Sequence, residues 1–262
     1  MSGTVQSVRQ GEVAWVTLSH PGKFNAMSRG MWRELRAVFT ALQADTSLRG
    51  VVLRGEGGHF CAGGDISEYP EFRFGAASLR DFHENDVWGG LQAVLDCDLP
   101  VVAQIEGNCM GAGVEIACCC DIRIATPSAR FGAPIGRLGF PMAPREAALV
   151  LREAGAATAR AMLLEAAVLT AAQMQARGFL QRVVDEEALE AEIAACMQRI
   201  VPLAPQAARM NKQTLRALQA PWPEALEPLC AQAYDYAASA EHREGIASFL
   251  AKRPAAFTLS IS

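Results

Sequence analysis

The chain has 262 residues and a formal net charge of −4, with 51% hydrophobic and 20% charged residues, which are ordinary values for a globular protein. The basic residues are dispersed and no apolar run approaches the roughly 18 residues of a membrane span, so we expect neither a nucleic-acid surface nor a membrane anchor. The eight cysteines and four histidines lack ligand-type spacing, which predicts buried free thiols and no metal site. Because the N-terminus lacks the pattern of a secretory signal, we expect a cytoplasmic protein.

Strand-like and helix-like segments alternate through the first half of the chain. Ser28 is placed to cap a first helix that ends near Ala44, and a second helix is predicted near 78–95. The predicted strands, which are rich in β-branched and other apolar residues, are 12–18, 51–53, 101–105, 122–125 and 130–131. This alternation predicts an α/β core.

From about Ala143 onward the chain is alanine-rich and the pattern becomes mostly helical. The predicted helices are 155–164, 171–177, 186–200, 204–218, 222–237 and 240–251. We therefore divide the chain into a core at 1–200 and a C-terminal helical region at 201–262.

A glycine-rich turn follows the strand 101–105 and leads into a helix that opens near Ala112. The first N–H groups of a helix have no intrahelical acceptor and carry partial positive charge, and a turn of small residues lets another group approach them. Glu115 lies about one turn further along. An N–H donor and a carboxylate so close together can polarise a carbonyl and move a proton beside it, although a turn needed only for packing has the same pattern.

The segment from His59 to Ile66 repeats this arrangement after the strand 51–53. Asp65 is most simply an N-cap there. Two such turns can direct two N–H groups at one oxygen, as an oxyanion hole for an acyl carbonyl requires. Neither turn has the spacing of a P-loop or of a dinucleotide-binding loop, and the G-x-S-x-G elbow of serine hydrolases is absent.

Taken in order, the motifs of the chain resemble those of the crotonase family, also called the enoyl-CoA hydratase/isomerase superfamily. The resemblance covers nearly the whole chain. The matching motifs are HPGKFNAM at 20–27, FCAGGDI at 60–66, GNCMGAGVE at 107–115, CDIRIA at 120–125, ARFG at 129–132, EHREGI at 241–246 and FLAKRP at 249–254.

This resemblance implies an α/β fold built as a spiral of β-β-α units, with C-terminal helices that make trimer contacts in a homotrimer or a dimer of trimers. It implies an acyl-CoA thioester as substrate, with coenzyme A as part of that substrate and no prosthetic group. The implied catalytic residues are Glu115 as acid/base and Gly64 and Ala112 as the donors of backbone N–H groups to the thioester oxygen.

The resemblance also implies the residues that contact coenzyme A. One group lies near the start of the chain, a second in the loop after the strand 51–53, and a last lysine in the closing helix. These residues are Lys23, Phe24, Ala26, Ala62, Asp65, Ile66 and Lys252. For the two lysines, an ordinary solvated surface position is the competing interpretation.

The chain departs from the family pattern at one catalytic position. Hydratases of the family use two glutamates, and the second should fall where this chain has Ile135, which cannot exchange a proton. The glycine-rich pattern that follows is altered at 139–145 as well. Since a positioned acid or base contributes ~10²–10⁴-fold, the departure puts efficient two-glutamate hydration in doubt.

The irregular aromatic stretch 69–78 corresponds to the region that borders the acyl pocket in the family. His83, Glu84 and Asp86 follow on the next predicted helix. Any of the three is a candidate to replace the missing glutamate, against the alternative of a solvated helix face.

The leading hypothesis is an acyl-CoA enzyme of the enoyl-CoA hydratase/isomerase type, in which Ile135, Phe140 and Met142 line an apolar acyl pocket. The second keeps the fold and makes the protein a decarboxylase, a hydrolase or a carbon–carbon lyase on a CoA thioester. The third is a binder of acyl-CoA with little catalysis.

Overall fold

A twisted, mostly parallel sheet forms the centre of the protein, seen here in a computed structural model that describes residues 2–219, 231 and 233–256. The strands of the six-stranded sheet are ordered β1-β2-β3-β4-β6-β9, and β5, β7 and β8 form a second, three-stranded sheet. The strands are β1 Thr4–Gln10, β2 Val13–Ser19, β3 Gly50–Gly55, β4 Val101–Ile105, β5 Asn108–Met110, β6 Ile122–Ala125, β7 Arg130–Gly132, β8 Val168–Thr170 and β9 Arg182–Val183.

Helices cover both faces of the large sheet and extend beyond it. The α-helices are α1 Arg29–Ala44, α2 Ala76–Asp81, α3 Trp88–Asp96, α4 Ala112–Cys118, α5 Pro144–Ala154, α6 Ala156–Leu164, α7 Ala171–Ala176, α8 Leu189–Ile200, α9 Pro205–Gln219 and α10 Ala240–Leu250. Short 3₁₀ turns occur at Ile66–Glu71, Ile135–Leu138, Glu186–Ala188 and Asp235–Ala238. A π-helical turn, Phe82–Val87, joins α2 to α3.

The burial of each strand explains its place in the sheet. β2 alternates between buried and partly exposed residues, as a strand with one covered face does. β4 is buried at every position, which is typical of a parallel strand covered on both faces. The far face of the sheet packs against α8, where Val52 and Val102 meet Ile193.

Most of the predicted elements are present, but several helices and strands of the structure were not predicted. The helix capped by Ser28 is confirmed as α1, with the Ser28 hydroxyl accepting from the Met31 N–H. β1 was missed because its exposed face is polar and its pairing depends on β2. α5, β8 and β9 were not among the predicted elements either; the region from about Ala143 was predicted to be mostly helical, with 155–164 as its first candidate helix.

The C-terminal prediction is confirmed in part. α9 and α10 lie within two residues of the predicted helices 204–218 and 240–251. Most of the predicted helix 222–237 lies outside the described residues, and its end is a 3₁₀ turn at Asp235–Ala238. None of the helices in the described part of the chain is both long enough and apolar enough to cross a membrane.

Candidate active site

The two glycine-rich turns lie against each other. Cys61 of the first pairs with Cys109 of β5 as a parallel bridge. Gly63 and Gly111 have φ of 110° and 47°, which other residues rarely adopt. A Cβ atom on Gly111 would lie 3.6 Å from the Cα atom of Gly63, so the two turns meet through their backbones.

The backbone N–H groups of Gly64 and Ala112 are left without acceptors by this pairing. The bridge of Gly64 to Met27 uses the N–H groups of Met27 and Asp65. Ala112 is the first residue of α4, so it has no intrahelical acceptor. Within the described part of the chain, neither N–H donates a hydrogen bond, and both residues line the same cavity.

That cavity has a volume of about 210 Å³ and mostly apolar walls. The predicted acyl-pocket residues Ile135, Phe140 and Met142 all line it. Its remaining lining includes Trp32, Ala62, Ile66, Tyr69, Arg73, Phe82, His83, Leu138 and Phe249. The cavity is therefore an apolar chamber with a small number of polar side chains, as small-molecule sites usually are.

Glu115 places its carboxyl group in this cavity, one turn along α4 from Ala112. Burial and the nearby carboxyl of Glu146 together raise the pKa of Glu115 to about 8, against the opposing effect of the Arg73 charge. An ionisable group with a pKa near neutrality is suited to both taking and giving a proton. Among the predicted site residues, Glu115 is the one with this property.

His83 is another ionisable side chain of the cavity, and the π-helical turn Phe82–Val87 presents it there. Turns of this kind occur frequently at functional sites. Its Nδ1 lies 3.1 Å from Oε1 of Glu146 in α5, and its ring stacks on Tyr234 at 5.6 Å. Because a carboxylate can only accept, this contact assigns the hydrogen to Nδ1.

The other nitrogen of His83, Nε2, is buried and has no partner among the described residues. Burial lowers the pKa of His83, against the opposing effect of Glu146, so the ring is neutral at pH 7. A neutral imidazole held by a carboxylate at Nδ1 has a lone pair available at Nε2. The arrangement is that of a general base, His83, oriented by a carboxylate, Glu146.

The structure separates the three candidates for the missing glutamate. Glu84 is exposed and pairs with Arg80 at 3.3 Å. Asp86 is buried but pairs with Arg29 and Arg33, at 2.6 and 2.7 Å. Of the three, His83 alone lines the cavity with Glu115.

The first group of predicted CoA residues lies together beside the cavity. The Lys23 ammonium is 2.6 Å from Asp65 and 2.8 Å from the Ser67 hydroxyl. Asp65 caps the 3₁₀ turn that follows it, as predicted, by accepting from the Ser67 N–H. Burial acts to raise the pKa of Asp65, but Lys23 and Ser67 outweigh it, so the pKa lies below its ordinary value.

The remaining predicted CoA residues are distributed along the same edge and at the chain's last helix. Phe24 is 55% exposed and packs on the His59 ring at 4.5 Å, while Ala26 is buried. Ala62 and Ile66 line the cavity. Lys252 is exposed and lies just after the end of α10. The helix α10 itself packs closely against the 3₁₀ turn Ile135–Leu138, since a Cβ atom on Gly245 would lie 2.1 Å from the Leu138 carbonyl oxygen.

The cysteines beside the two turns are not reactive thiols. All seven described cysteines are free and buried, and Cys230 lies outside the described residues. Burial raises the pKa of Cys61 to about 12 and that of Cys109 well above its ordinary value. A thiol in this state is not ionised and does not act as a nucleophile.

Two polar residues of the site were missed by sequence reasoning. Glu146 follows Pro144 at the start of α5, and the pattern of proline followed by an acid is a recognisable helix start that was available in the sequence. Arg73 lies in the predicted aromatic stretch, but no local pattern distinguishes it from a surface arginine.

Known proteins with related sequences place this geometry in a family. Residues 8–259 match the sequence profile of the Enoyl-CoA hydratase/isomerase family. The chain belongs to the enoyl-CoA hydratase/isomerase family. It is thus a member of the crotonase superfamily and an acyl-CoA enzyme of this type, as the motifs predicted.

Individual members of the enoyl-CoA hydratase/isomerase family match over nearly their full length. A probable enoyl-CoA hydratase of Rhizobium meliloti (strain 1021) is 32% identical over 95% of each chain. The crystal structure of an enoyl-CoA hydratase/carnithine racemase from Magnetospirillum magneticum has a TM-score of 0.81 and 38% identity, covering 98% of this chain and 96% of that one. Methylmalonyl-CoA decarboxylase, in complex with 2-nitronate-propionyl-CoA, has a TM-score of 0.86 and 25% identity over 98% of both chains. These likenesses confirm the predicted crotonase fold.

Proposed function

We propose that the chain binds an enoyl-CoA thioester with its carbonyl oxygen between the N–H groups of Gly64 and Ala112, and that Glu115 carries the proton. One observation carries this proposal: a carboxyl group whose pKa lies at about 8 shares a cavity with two N–H groups that have no acceptor among the described residues. Preorganised donors of this kind stabilise an oxyanion at little reorganisation cost.

The proton steps follow from these positions. In an isomerisation, the Glu115 carboxylate accepts a proton from the α-carbon, next to the thioester carbonyl. The electron pair moves onto the carbonyl oxygen, where the two N–H groups stabilise the enolate. The protonated Glu115 then returns the proton to another carbon of the same system. In a hydration, the protonated Glu115 instead gives its proton to the α-carbon, and a second group accepts a proton from the attacking water.

His83, held by Glu146, supplies the second acid or base that Ile135 cannot. Its Nε2 lies in the buried wall without a partner in the described part of the protein. In a hydration, this nitrogen accepts a proton from the attacking water, opposite Glu115. The pair therefore replaces one family carboxylate by an imidazole whose Nδ1 is fixed by another carboxylate.

Coenzyme A is proposed to lie along the edge formed by the loop residues and the closing helix. Lys23 and Lys252 contact phosphate groups, while Phe24, Ala26, Ala62, Asp65 and Ile66 form the surface beside the pantetheine and adenine. Lys23 already pairs with Asp65, so a phosphate adds to an existing ion pair rather than binding an isolated ammonium. These contacts require no prosthetic group.

A panel of CoA thioesters tests the proposal. Crotonyl-CoA, its longer 2-enoyl and 3-enoyl homologues and the corresponding free acids are to be compared for turnover and for binding by calorimetry. We expect hydration or isomerisation of at least one thioester, and tighter binding of thioesters than of free acids because the CoA edge adds contacts. Equal affinity for thioester and free acid would contradict the proposal at its base.

The alternative is a different reaction on a CoA thioester in the same oxyanion hole, such as decarboxylation, hydrolysis or carbon–carbon cleavage. The likeness to methylmalonyl-CoA decarboxylase favours it, as does the absence of a glutamate at Ile135. Release of CO₂ or of free CoA from one of the CoA thioesters tested would support this alternative. Tight acyl-CoA binding without any turnover would instead indicate a binder.

We propose a cytoplasmic homotrimer, alone or as a dimer of trimers, in which 1–200 forms the core and 201–262 the helical contact region. The support is α9, which has no buried residue in the described chain and exposes Met210, Leu215 and Leu218 by 55%, 63% and 77%. Apolar side chains so grouped usually face a partner. Light scattering of the purified protein measures the subunit number directly.

A further inference from the structure

Arg73 is a charged side chain buried in the wall of the acyl cavity. It is 1% exposed and follows the 3₁₀ turn that begins after Asp65. The central carbon of its guanidinium lies 4.3 Å from the ring centre of Tyr69 and 4.0 Å from that of Phe140. The guanidinium is thus held between two aromatic walls of the chamber in which the acyl group is proposed to lie.

The hydrogen bonds of Arg73 are incomplete. A terminal nitrogen donates to the Tyr236 hydroxyl at 3.2 Å, while the buried Nε–H has no partner in the described part of the chain. Among the same residues, no carboxylate lies within ion-pair distance of Arg73. A buried charge without a matched partner is costly to the folded state.

A second buried arginine shows what complete pairing looks like in this protein. Arg123 is 5% exposed. It donates to the carbonyl oxygens of Phe179, Ala117 and Cys120 and contacts the Glu153 carboxylate at 3.5 Å. Arg123 has a structural role that its partners explain. Arg73, by contrast, keeps an Nε–H without an acceptor among the described residues, beside an open chamber.

We propose that Arg73 binds a carboxylate at the far end of the acyl group, so that the substrates are CoA thioesters of dicarboxylic acids. This inference rests on the proposed function and specifies its substrate class. The planar guanidinium fork matches a carboxylate in a bidentate manner, and the Tyr236 hydroxyl lies beside it to donate a further hydrogen bond. The phenyl wall of Phe140 covers the hydrocarbon between the thioester and this end.

The other charges of the chamber are compatible with such a ligand. Glu146 is engaged by His83, and the pKa of Glu115, at about 8, leaves that carboxyl mostly protonated at pH 7. The His83 and His242 rings are neutral at this pH, since burial lowers the pKa of each. The competing role for Arg73 is to balance Glu115 and Glu146 without touching substrate.

Matched pairs of saturated thioesters separate these roles. Succinyl-CoA is compared with butyryl-CoA, glutaryl-CoA with pentanoyl-CoA, and adipyl-CoA with hexanoyl-CoA, each by calorimetry on the full-length protein. We expect at least one diacid thioester to bind ~10-fold or more tightly than its monoacid partner. In Arg73→Gln that ratio falls to about one, and in Arg243→Gln, which removes an exposed arginine stacked on Phe74, it stays unchanged.

The outcomes are distinguishable. If no thioester binds more tightly than CoA itself, the acyl site fails and the proposed function fails with it. If monoacid thioesters bind more tightly than CoA while no diacid exceeds its partner, the inference about Arg73 is overturned and the proposed function stands. A folded Arg73→Gln protein that keeps the diacid preference assigns the carboxylate to another residue and also overturns the inference. If that variant does not fold, the wild-type ratios decide between the two roles.

Discussion

The two walls of the cavity are built in different ways. On the side of the glycine-rich turns, the groups proposed to act are backbone N–H groups, and Lys23 already forms an ion pair with Asp65. On the opposite side, the polar groups are the side chains of His83, Glu146 and Arg73, which come from separate elements. His83 and Arg73 each keep one buried nitrogen without a partner among the described residues.

This contrast suggests a division of labour. Backbone donors in a turn depend little on which side chains surround them, so the turns are suited to a step that all CoA thioesters share. Side chains contributed by separate segments of the chain can be substituted without changing the turns, so the opposite wall is suited to selecting the substrate and the outcome of the reaction. Variants on the first wall should abolish chemistry, and variants on the second should redirect it.

The largest effect is expected at Glu115, where the two walls meet. Glu115→Gln keeps the size of the side chain and removes proton transfer, so turnover should fall by ~10²–10⁴-fold with little change in acyl-CoA affinity. In the wild type, kcat/KM for isomerisation should rise as pH increases through about 8, because Glu115 must be ionised to act as the base. Unchanged turnover in the variant would show that the group that transfers the proton lies on the opposite wall.

A somewhat smaller effect is expected for the oxyanion donor of Ala112. Ala112→Pro removes the N–H at the first position of α4, where proline is well tolerated, and turnover should fall by ~10²–10³-fold. Gly64 is a less clean position, since a Cβ atom there would lie 2.1 Å from the Tyr69 hydroxyl. Ala156→Pro, at the start of α6, is the matched control, and equal losses in both variants would argue for a folding defect.

Glu115 should also make stability depend on pH. Its folded pKa, about 8, lies above its ordinary 4.5, so the folded state retains a proton that the unfolded state loses, and stability falls as pH rises through this interval. Glu115→Gln should therefore raise the free energy of unfolding at pH 8 by on the order of 3 kcal/mol, and by little at pH 5. Urea titrations at both pH values measure this, with the exposed Glu84→Gln as control.

The pairing of His83 with Glu146 gives the next prediction. His83→Gln should lower hydration by about 10²-fold, and Glu146→Gln should have a similar effect because a neutral amide stabilises the protonated imidazole less than the carboxylate does. The double variant should be little worse than either single variant, since residues that act as a unit are not additive. Full additivity in this cycle would show that the two residues act independently.

The smallest effect is expected at Lys23. Lys23→Met should raise KM for acyl-CoA about twofold to fivefold while kcat is unchanged, because a partly exposed charge contributes modestly. The same variant should have no effect on an acyl-pantetheine substrate that lacks the nucleotide. An equal loss on both substrates would assign Lys23 to the structure of the loop rather than to phosphate binding.

The sequence predicted the first wall far better than the second, and the reason is physical. Glycine, a preceding strand and an N-cap such as Asp65 are local signals, so both turns could be read from short segments. The contact of His83 with Glu146 joins residues 63 positions apart, and that of Arg73 with Tyr236 joins residues 163 positions apart. Such contacts depend on tertiary packing, which no local pattern encodes.

The late position of Tyr236 and Phe249 in the chain has a consequence for synthesis on the ribosome. Both turns of the first wall are made well before α10, whose Phe249 lines the cavity and whose Gly245 packs against Leu138. A nascent chain therefore exposes the oxyanion turns to water before the chamber is complete. Activity should emerge abruptly with release of the nearly complete polypeptide, rather than growing with its length.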